Sequence, residues 1–493
     1  MTVRDHTGRP RGKADVGHDR DEIDADVVVI GAGVLGCAIA SRLAQSRLRV
    51  RVLESADDIA EGASKGNAGI TSSYYAPHGT LECELLAESN DGWEELCERL
   101  GVPYRRIGAL TAAVDEAGVT ALRELEAQVR AAGVKCEWLT GDAARAQEPL
   151  LTDACVAALY YPDEGIVDPM RLTWAYAELA ALNGAVFHFD SPVIGFDTTP
   201  GGRLLQAITP QGAYTARYFI NAAGLGSGLV SELAGGEAIR MWPRKGQYWI
   251  LDREFGQRMS RIVLPVPMAH SRGIEVAPTT NGSVLLGPDA VDGTDPADTS
   301  TDPAGLREVF ERTRQLVPSV SLDAAIKTYA GNRPAADEPV RLRADGRVAN
   351  LVHVGNRSTG VSTSPAFAAR IAGLLAEAGL DTSVRGDAVR RLPPVRRLLL
   401  DPEPENFPGD DVTAQTVVCV CEQVTASEIT RALTSAVPAR SVEGVRKRCR
   451  ATGGRCQGSV CLAGVVLLCA AVGGVEPGQV RIGPNGGRVG IAT

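Results

Sequence analysis

Two rhythms of apolar and polar residues alternate along the chain. Val27-Val28-Val29-Ile30 is an unbroken apolar run, the pattern of a strand buried on both faces of a parallel sheet. It passes into Gly31-Ala32-Gly33-Val34-Leu35-Gly36 and an alanine-rich segment that predicts a helix to about Gln45. Val50 to Leu53 repeats the buried-strand pattern and ends at the acid Glu54. From about Leu81 to Leu100, and from Val119 to Ala132, apolar residues recur at helical spacing, predicting amphipathic helices. Tyr218-Phe219-Ile220-Asn221-Ala222-Ala223-Gly224 and Leu351-Val352-His353-Val354-Gly355 are further buried strands meeting glycine turns, the second followed by a helix from about Ser364 to Ala378. Between about Met241 and Pro288 short apolar runs alternate with turns, as in an antiparallel sheet. The acidic, proline-rich stretch from Asp401 to Asp411 then reads as a linker.

The strand–glycine–helix unit at Gly31, Gly33 and Gly36 has the form of a dinucleotide site, with the acid Glu54 placed 18 residues after the third glycine. Gly31 permits the tight turn, Gly33 lets the backbone approach a pyrophosphate, and Gly36 lets the helix pack on the sheet. Glu54 is suited to ribose hydroxyls and repels a 2′-phosphate. A nicotinamide enzyme needs only this one fingerprint. This chain adds Ala63-Ser64-Lys65-Gly66-Asn67-Ala68-Gly69 and the turns at Gly224 and Gly355 to Gly360, so Ser64, Asn67, Gly69, Gly224, Gly355, Gly360 and Val361 are candidate contacts. Flavin sites draw contacts from such distant segments. The helix starting near Gly360 and Val361 would aim its positive end at a reduced flavin, so FAD is the expected cofactor.

Cysteine usage changes at the far end. Cys419 and Cys421 form C-x-C and Cys456 and Cys461 form C-x4-C; four such thiolates suit an iron–sulfur cluster or a tetrahedral zinc. C-x-C fits poorly with the C-x2–4-C pairs of zinc fingers. The basic run Arg446-Lys447-Arg448-Cys449-Arg450 reads either as a solvated face or as a charge that attracts an acidic electron partner.

Composition narrows the remainder. The 493 residues allow about three domains. A net charge of −9 argues against a nucleic-acid partner. Eleven cysteines without a secretion signal point to a reducing cytoplasm, and the apolar run Leu462 to Val472 falls short of the roughly 20 residues of a membrane span. The expected location is therefore cytoplasmic, with docking at the inner face of a membrane left open.

Asp26 to Glu54, Ala63 to Gly69, Phe219 to Gly224, Gly331-Asn332-Arg333-Pro334 and His353 to Pro365 together resemble the D-amino-acid oxidase-like superfamily of FAD-dependent oxidoreductases. The likeness is greatest to the branch of anaerobic glycerol-3-phosphate dehydrogenase and the L-2-hydroxyglutarate oxidoreductases, whose first segment reads like Ala63 to Ile70. Val445 to Arg448 and Gly454 to Gly458 resemble the BFD-like [2Fe-2S] module in residue order as well as cysteine spacing. The resemblance implies an α/β fold: a GR2-type Rossmann FAD domain interleaved with an antiparallel-sheet substrate domain, plus a small C-terminal cysteine-cluster module. The corresponding boundaries are a disordered tail at 1–25, an FAD domain at 26–100, 151–240 and 330–395, and a substrate domain at 101–150 and 241–329. A linker at 396–414, the [2Fe-2S] domain at 415–475 and an extension at 476–493 complete the chain. It implies Cys419, Cys421, Cys456 and Cys461 as cluster ligands and Arg333 as the arginine that grips a carboxylate or phosphate.

At one position the chain departs from the resemblance. Many relatives carry a histidine where Ser72 aligns, and oxidising an alcohol needs a base for the hydroxyl proton. His353 and His270 are the alternative candidates for that base. The expected activity is a dehydrogenase for a small anionic alcohol, glycerol 3-phosphate-like or a 2-hydroxy acid, passing electrons through the cluster to a quinone or an electron-transfer protein. Ser72 motivates an amine or amino-acid dehydrogenase as the alternative, and a non-catalytic electron-transfer or redox-sensing subunit is a second. Pairing with further subunits is a further expectation of the resemblance.

Overall fold

The structure is a computed structural model that describes residues 24–267, 272–393, 415–484 and 486–490. The expected linker at 396–414, and all but the last two residues of the expected tail at 1–25, lie outside them.

The apolar run at Val27–Ile30 lies on the strand Ala25–Ile30, flanked by the parallel strands Val50–Leu53 and Gly212–Asn221. Val186–His188 and Leu351–Asn356 extend the parallel set on either side. Antiparallel strands at Gly195–Thr198, Leu204–Thr209 and Val340–Ala344 complete an eight-stranded sheet. With strands on both edges and packing on both faces, the central strand meets no water, and its unbroken apolar run follows from that.

The helix Val34–Ala44 has small residues on most of its circumference and packs between the helices Pro169–Leu182 and Gly360–Glu377. The last of these begins at Gly360, ahead of the start at about Ser364 that the apolar pattern suggests and at the place expected for its positive end, near Gly360 and Val361. Pro365 lacks the amide that would bond the Val361 carbonyl, and the Ser364 hydroxyl donates to that carbonyl instead at 2.9 Å. The helix therefore runs through its proline. The segment expected as one helix from Leu81 to Leu100 is two, Leu81–Asn90 and Trp93–Leu100, broken at Asp91-Gly92.

A nine-stranded sheet forms the second layer, ordered Val291–Asp292, Met241–Leu251, Val284–Gly287, Glu275–Pro278, Ile262–Pro265, Ala109–Ala113, Ala157–Tyr161 and Glu137–Thr140, with Ala325–Ala336 paired along Met241–Leu251. It is antiparallel except where Ile262–Pro265 runs parallel to Ala109–Ala113. Ala157–Tyr161 belongs to this sheet, so the segment placed from 151 in the dinucleotide domain starts on the other side of the molecule. Ala325–Ala336 likewise crosses the expected boundary at 330. Strand pairing sets these borders, and composition does not mark it. The two layers meet backbone to backbone: a Cβ on Gly66 would stand 2.9 Å from the Gly331 Cα.

The C-terminal module comprises the strands Val417–Cys419 and Val424–Thr425 and the helices Ala426–Thr434, Val442–Cys449 and Leu462–Gly473. A Thr425–Glu428 capping box starts the first helix. Cys419, Ile429, Val445, Cys461 and Val465 share its core. The basic run does not form a solvated face. Lys447 and Arg448 are fully buried against the dinucleotide domain, because Asp58 accepts from both Arg448 terminal nitrogens at 2.8 Å and Lys447 pairs with Asp58, Glu61 and the Ile59 carbonyl. Among the described residues, no helix is long and apolar enough to cross a membrane.

Candidate functional site

At the end of Ala25–Ile30 the chain turns at Gly31 with φ +106°, where a Cβ would lie 2.5 Å from the Ala222 carbonyl oxygen. Only glycine fits there. Gly36 faces Gly31 closely enough that a Cβ would collide with its carbonyl, which lets Val34–Ala44 sit directly on the sheet. Gly33 starts that helix without a side-chain cap of its own, and the Val34 amide donates to Ser64 Oγ at 2.9 Å. Glu54 accepts from the Ala32 and Ala56 amides at 2.7 and 2.9 Å, so its carboxylate is held rigidly where the turn opens. Burial pushes its pKa up, and these two amides oppose the shift. The Gly69 amide donates to Asn67 Oδ1 at 2.7 Å; Gly69 itself has φ +78° and packs against the Val167 carbonyl.

These segments surround one cavity of about 430 Å³. Of the expected contacts, Gly31, Gly33, Glu54, Ser64, Asn67, Gly224, Gly355, Gly360 and Val361 line it, together with Arg333 and Ser72. Gly36, Gly69 and His353 do not; the two glycines sit behind the wall as close-packing positions. The fit to a dinucleotide is direct. The N-termini of Val34–Ala44 and Gly360–Glu377, neither capped by its own side chain, both open on the cavity.

At the other end of the cavity the nine-stranded sheet contributes charge. Arg333 Nη2 donates to the Asp289 carbonyl at 2.8 Å, while its Nε is buried without a partner. No carboxylate among the described residues forms an ion pair with it; Glu338, a neighbour in sequence, pairs with Arg343. Arg272, which has no motif to announce it, donates to Ser72 Oγ at 2.9 Å and to Glu164 at 3.1 Å. Glu275 lines the same region, and its pKa is pushed up to about 7. Burial is the main cause; the Glu164 charge adds to it, and the charges of Arg272 and Arg333 oppose it. Tyr248 lines the wall and stacks on Tyr329 with ring centroids 4.7 Å apart.

The histidine candidates fall elsewhere. His353 is fully buried, its Nε2 2.8 Å from Asp345 Oδ2 and its Nδ1 3.2 Å from Asn221 Nδ2. Asn221 can only donate there, which leaves Nε2 to donate to Asp345 and both ring nitrogens occupied. Burial lowers its pKa and Asp345 opposes the shift, so this is the setting of a structural histidine. His270 lies outside the described residues. Lys245 pairs with Asp298 at 3.0 Å, away from the cavity wall. Arg272 and Glu275 were missed in the sequence. The available signal was an acid inside the apolar strand Glu275–Pro278, next to a glycine turn.

In the C-terminal module the thiols of Cys421 and Cys456 contact each other, as do those of Cys419 and Cys461. The Val460 amide leads in lowering the Cys456 pKa to about 7, helped by Cys421, Gly458 and Ser459, whereas burial and the neighbouring Cys419 push Cys461 up to about 12. Four thiols with backbone amides aimed at one sulfur form a donor set that suits an iron–sulfur cluster. They converge in pairs: among the described residues, no group of three or more is closed to metal-coordinating geometry. Cys449 and Cys469 stand apart as buried core thiols, pushed up by burial to about 12 and about 11.

Comparison with known proteins matches residues 26–374 to the FAD dependent oxidoreductase family and residues 417–468 to the BFD-like [2Fe-2S] binding domain. A glycerol 3-phosphate dehydrogenase of Caloramator mitchellensis is 31% identical over 464 residues, spanning 92% of this chain and 96% of that protein. An L-2-hydroxyglutarate dehydrogenase of Escherichia coli (strain K12) is 27% identical over 274 residues, covering 54% of this chain and 64% of that protein. Among solved structures, dithionite-reduced L-alpha-glycerophosphate oxidase from Mycoplasma pneumoniae with FAD bound superposes with a TM-score of 0.70 at 24% identity, over 75% of this chain and 99% of that one.

Proposed function

The chain belongs to the FAD dependent oxidoreductase family and carries a BFD-like [2Fe-2S] binding domain, and from that premise we propose that it is a dehydrogenase for a small anionic alcohol. Glycerol 3-phosphate is the first candidate, a 2-hydroxy acid the second. One observation supports this reading above the others: Arg333 is half enclosed at the cavity wall, without a carboxylate partner and with a buried, unmet Nε donor. A planar guanidinium in that state is completed by a phosphate or carboxylate. The name of the Caloramator relative points to the phosphate.

Bound FAD supplies a two-electron acceptor. Gly31, Gly33, Ser64, Asn67, Glu54, Gly224, Gly355, Gly360 and Val361 are the residues that would hold it. Arg333 would fix the substrate's anionic end, and the Tyr248 ring would close one wall. Ser72 accepts a hydrogen bond from Arg272, so its hydroxyl is oriented but is not itself a base. Cys419, Cys421, Cys456 and Cys461 would hold the cluster through which electrons leave, to a quinone or an electron-transfer protein. A cytoplasmic location and association with further subunits accompany this reading.

Ser72 also favours a second reading, oxidation of an amine or amino acid, because a neutral amine needs no base at that position. Anaerobic titration of the purified protein with glycerol 3-phosphate, 2-hydroxy acids and amino acids distinguishes the two. Bleaching of the visible flavin absorption by glycerol 3-phosphate or a 2-hydroxy acid is expected; bleaching by amino acids alone would replace the alcohol reading with the amine one.

A further inference from the structure

Glu275 is the first residue of a strand whose next neighbours are apolar. Ile274 and Val276 belong to the core on one side of the sheet, and Ala277 shares the opposite face with Glu275. Its backbone is fixed by pairing with Gly287, and it lines the cavity together with Arg333, Arg272, Ser72 and Tyr248. A buried acid kept for structure has a partner, as Glu164 has in Arg272. The Glu275 carboxyl has no such direct contact: among the described residues its side chain makes no hydrogen bond and no ion pair, although the residue is only 8% exposed, and Arg272 and Arg333 act on it through their charge alone. An unpaired carboxyl held on a strand, facing the space where an alcohol would be anchored, is placed for proton transfer.

We propose that Glu275 is the catalytic base that accepts the substrate's hydroxyl proton, taking the part for which Ser72 is chemically unsuited. The proposal rests on the alcohol reading above. In the balanced step the carbinol C–H bond breaks with its electron pair leaving as hydride to the cofactor, the O–H bond breaks, a C=O bond forms, and the proton goes to a Glu275 carboxylate oxygen. The proton is later released to water. The groups facing Glu275 suit this role. Arg272, on the segment leading into its strand, and Arg333, on Ala325–Ala336, favour the ionised form; Glu164, before Gly165–Val167, disfavours it. Tyr248 and Tyr329 stay neutral beside it, their phenols pushed upward by burial. Ionisation near pH 7 makes the group a base when substrate arrives and an acid able to release its proton afterwards.

The test uses the full-length holoprotein and Glu275→Gln, with Glu275→Asp as a second variant that keeps a carboxyl group. Stopped-flow reduction of the flavin by glycerol 3-phosphate should slow about 10²- to 10⁴-fold in Glu275→Gln, with substrate affinity much less affected and the rise in rate near pH 7 gone. Glu275→Asp should recover part of the rate and a rise with pH. A second readout needs no turnover: the affinity for sulfate, followed by perturbation of the flavin spectrum, should fall in wild type as pH rises through 7 and stay flat in Glu275→Gln. A glutamine variant that reduces at the wild-type rate, or an unchanged pH dependence of sulfate binding, would overturn the assignment while leaving the alcohol reading intact. Wild-type protein that no alcohol in the panel reduces would overturn both.

Discussion

A guanidinium has five N–H donors, and Arg333 places one of them on the Asp289 carbonyl while its Nε stays buried and unmet. Hydrogen bonds to charged groups contribute about 1.5–3 kcal/mol each, so Arg333→Ala should raise the substrate KM by about 10- to 100-fold. Steady-state kinetics would check this, with flavin content and Tm expected near wild type. Arg333→Lys should recover only part of the loss, since an ammonium lacks the paired donors. At this scale the sequence was informative where backbone sterics impose a residue type. Gly31 and Gly36 allow nothing larger, so their spacing is a signature. Arg272 and Glu275 were not legible, because their meaning comes from lying together at a site with Arg333, Glu164 and Ser72, which other segments bring there and no local pattern connects.

At the scale of elements, the helix Val442–Cys449 shows how a charged segment can be an interior one. One of the two readings of its basic run, a solvated face, assigns Lys447 and Arg448 to solvent, yet both side chains have zero exposure against Asp58. Removing one partner of a buried pair leaves the other charge uncompensated at a cost of about 3–5 kcal/mol. Asp58→Ala should therefore lower unfolding free energy by about that amount in a denaturant titration, with the C-terminal module separating first. Burial alone would raise the Asp58 pKa, but Arg448, Lys447 and the Ile59 amide bring it below the usual carboxylate range. A depressed folded pKa contributes stability that is complete above the unfolded value of about 3.9 and is lost as pH falls through the folded one. Wild-type stability should thus drop as pH is lowered below about 4 by more than in Asp58→Ala. The strand–glycine–helix units were readable because both periodicities are local. The helix Gly360–Glu377 has its N-terminus where the glycine turn placed it, but that it runs on through Pro365 depends on the compensating bond from Ser364, which is visible only in three dimensions.

Across the whole molecule, the segment Gly66-Asn67-Ala68 has a cavity on each side. One is the cavity of Arg333 and Glu275; the other, about 260 Å³, lies against Arg446, Arg450, Gly453 and Gln457 of the C-terminal module. The module is locked at this place by Asp58, by Arg450 with Asp168 at 3.6 Å, and by Arg253, which donates to Glu422 at 2.6 Å and to the carbonyl of Cys421 at 3.3 Å. Composition marked where the module begins and which thiols it carries, but the docking depends on Asp58 and Glu61, far away in the chain, and no spacing rule connects them. Fixed docking matters because electron transfer weakens steeply with separation, and a module tethered only by a linker would have no defined distance. If the cluster is the exit for electrons, Cys456→Ser should lose the visible and paramagnetic signature of a [2Fe-2S] centre while glycerol 3-phosphate still bleaches the flavin. Turnover with an artificial one-electron acceptor should then fall sharply. If the variant loses the signature but keeps full turnover, the module is a structural clamp, and the acceptor meets the flavin directly.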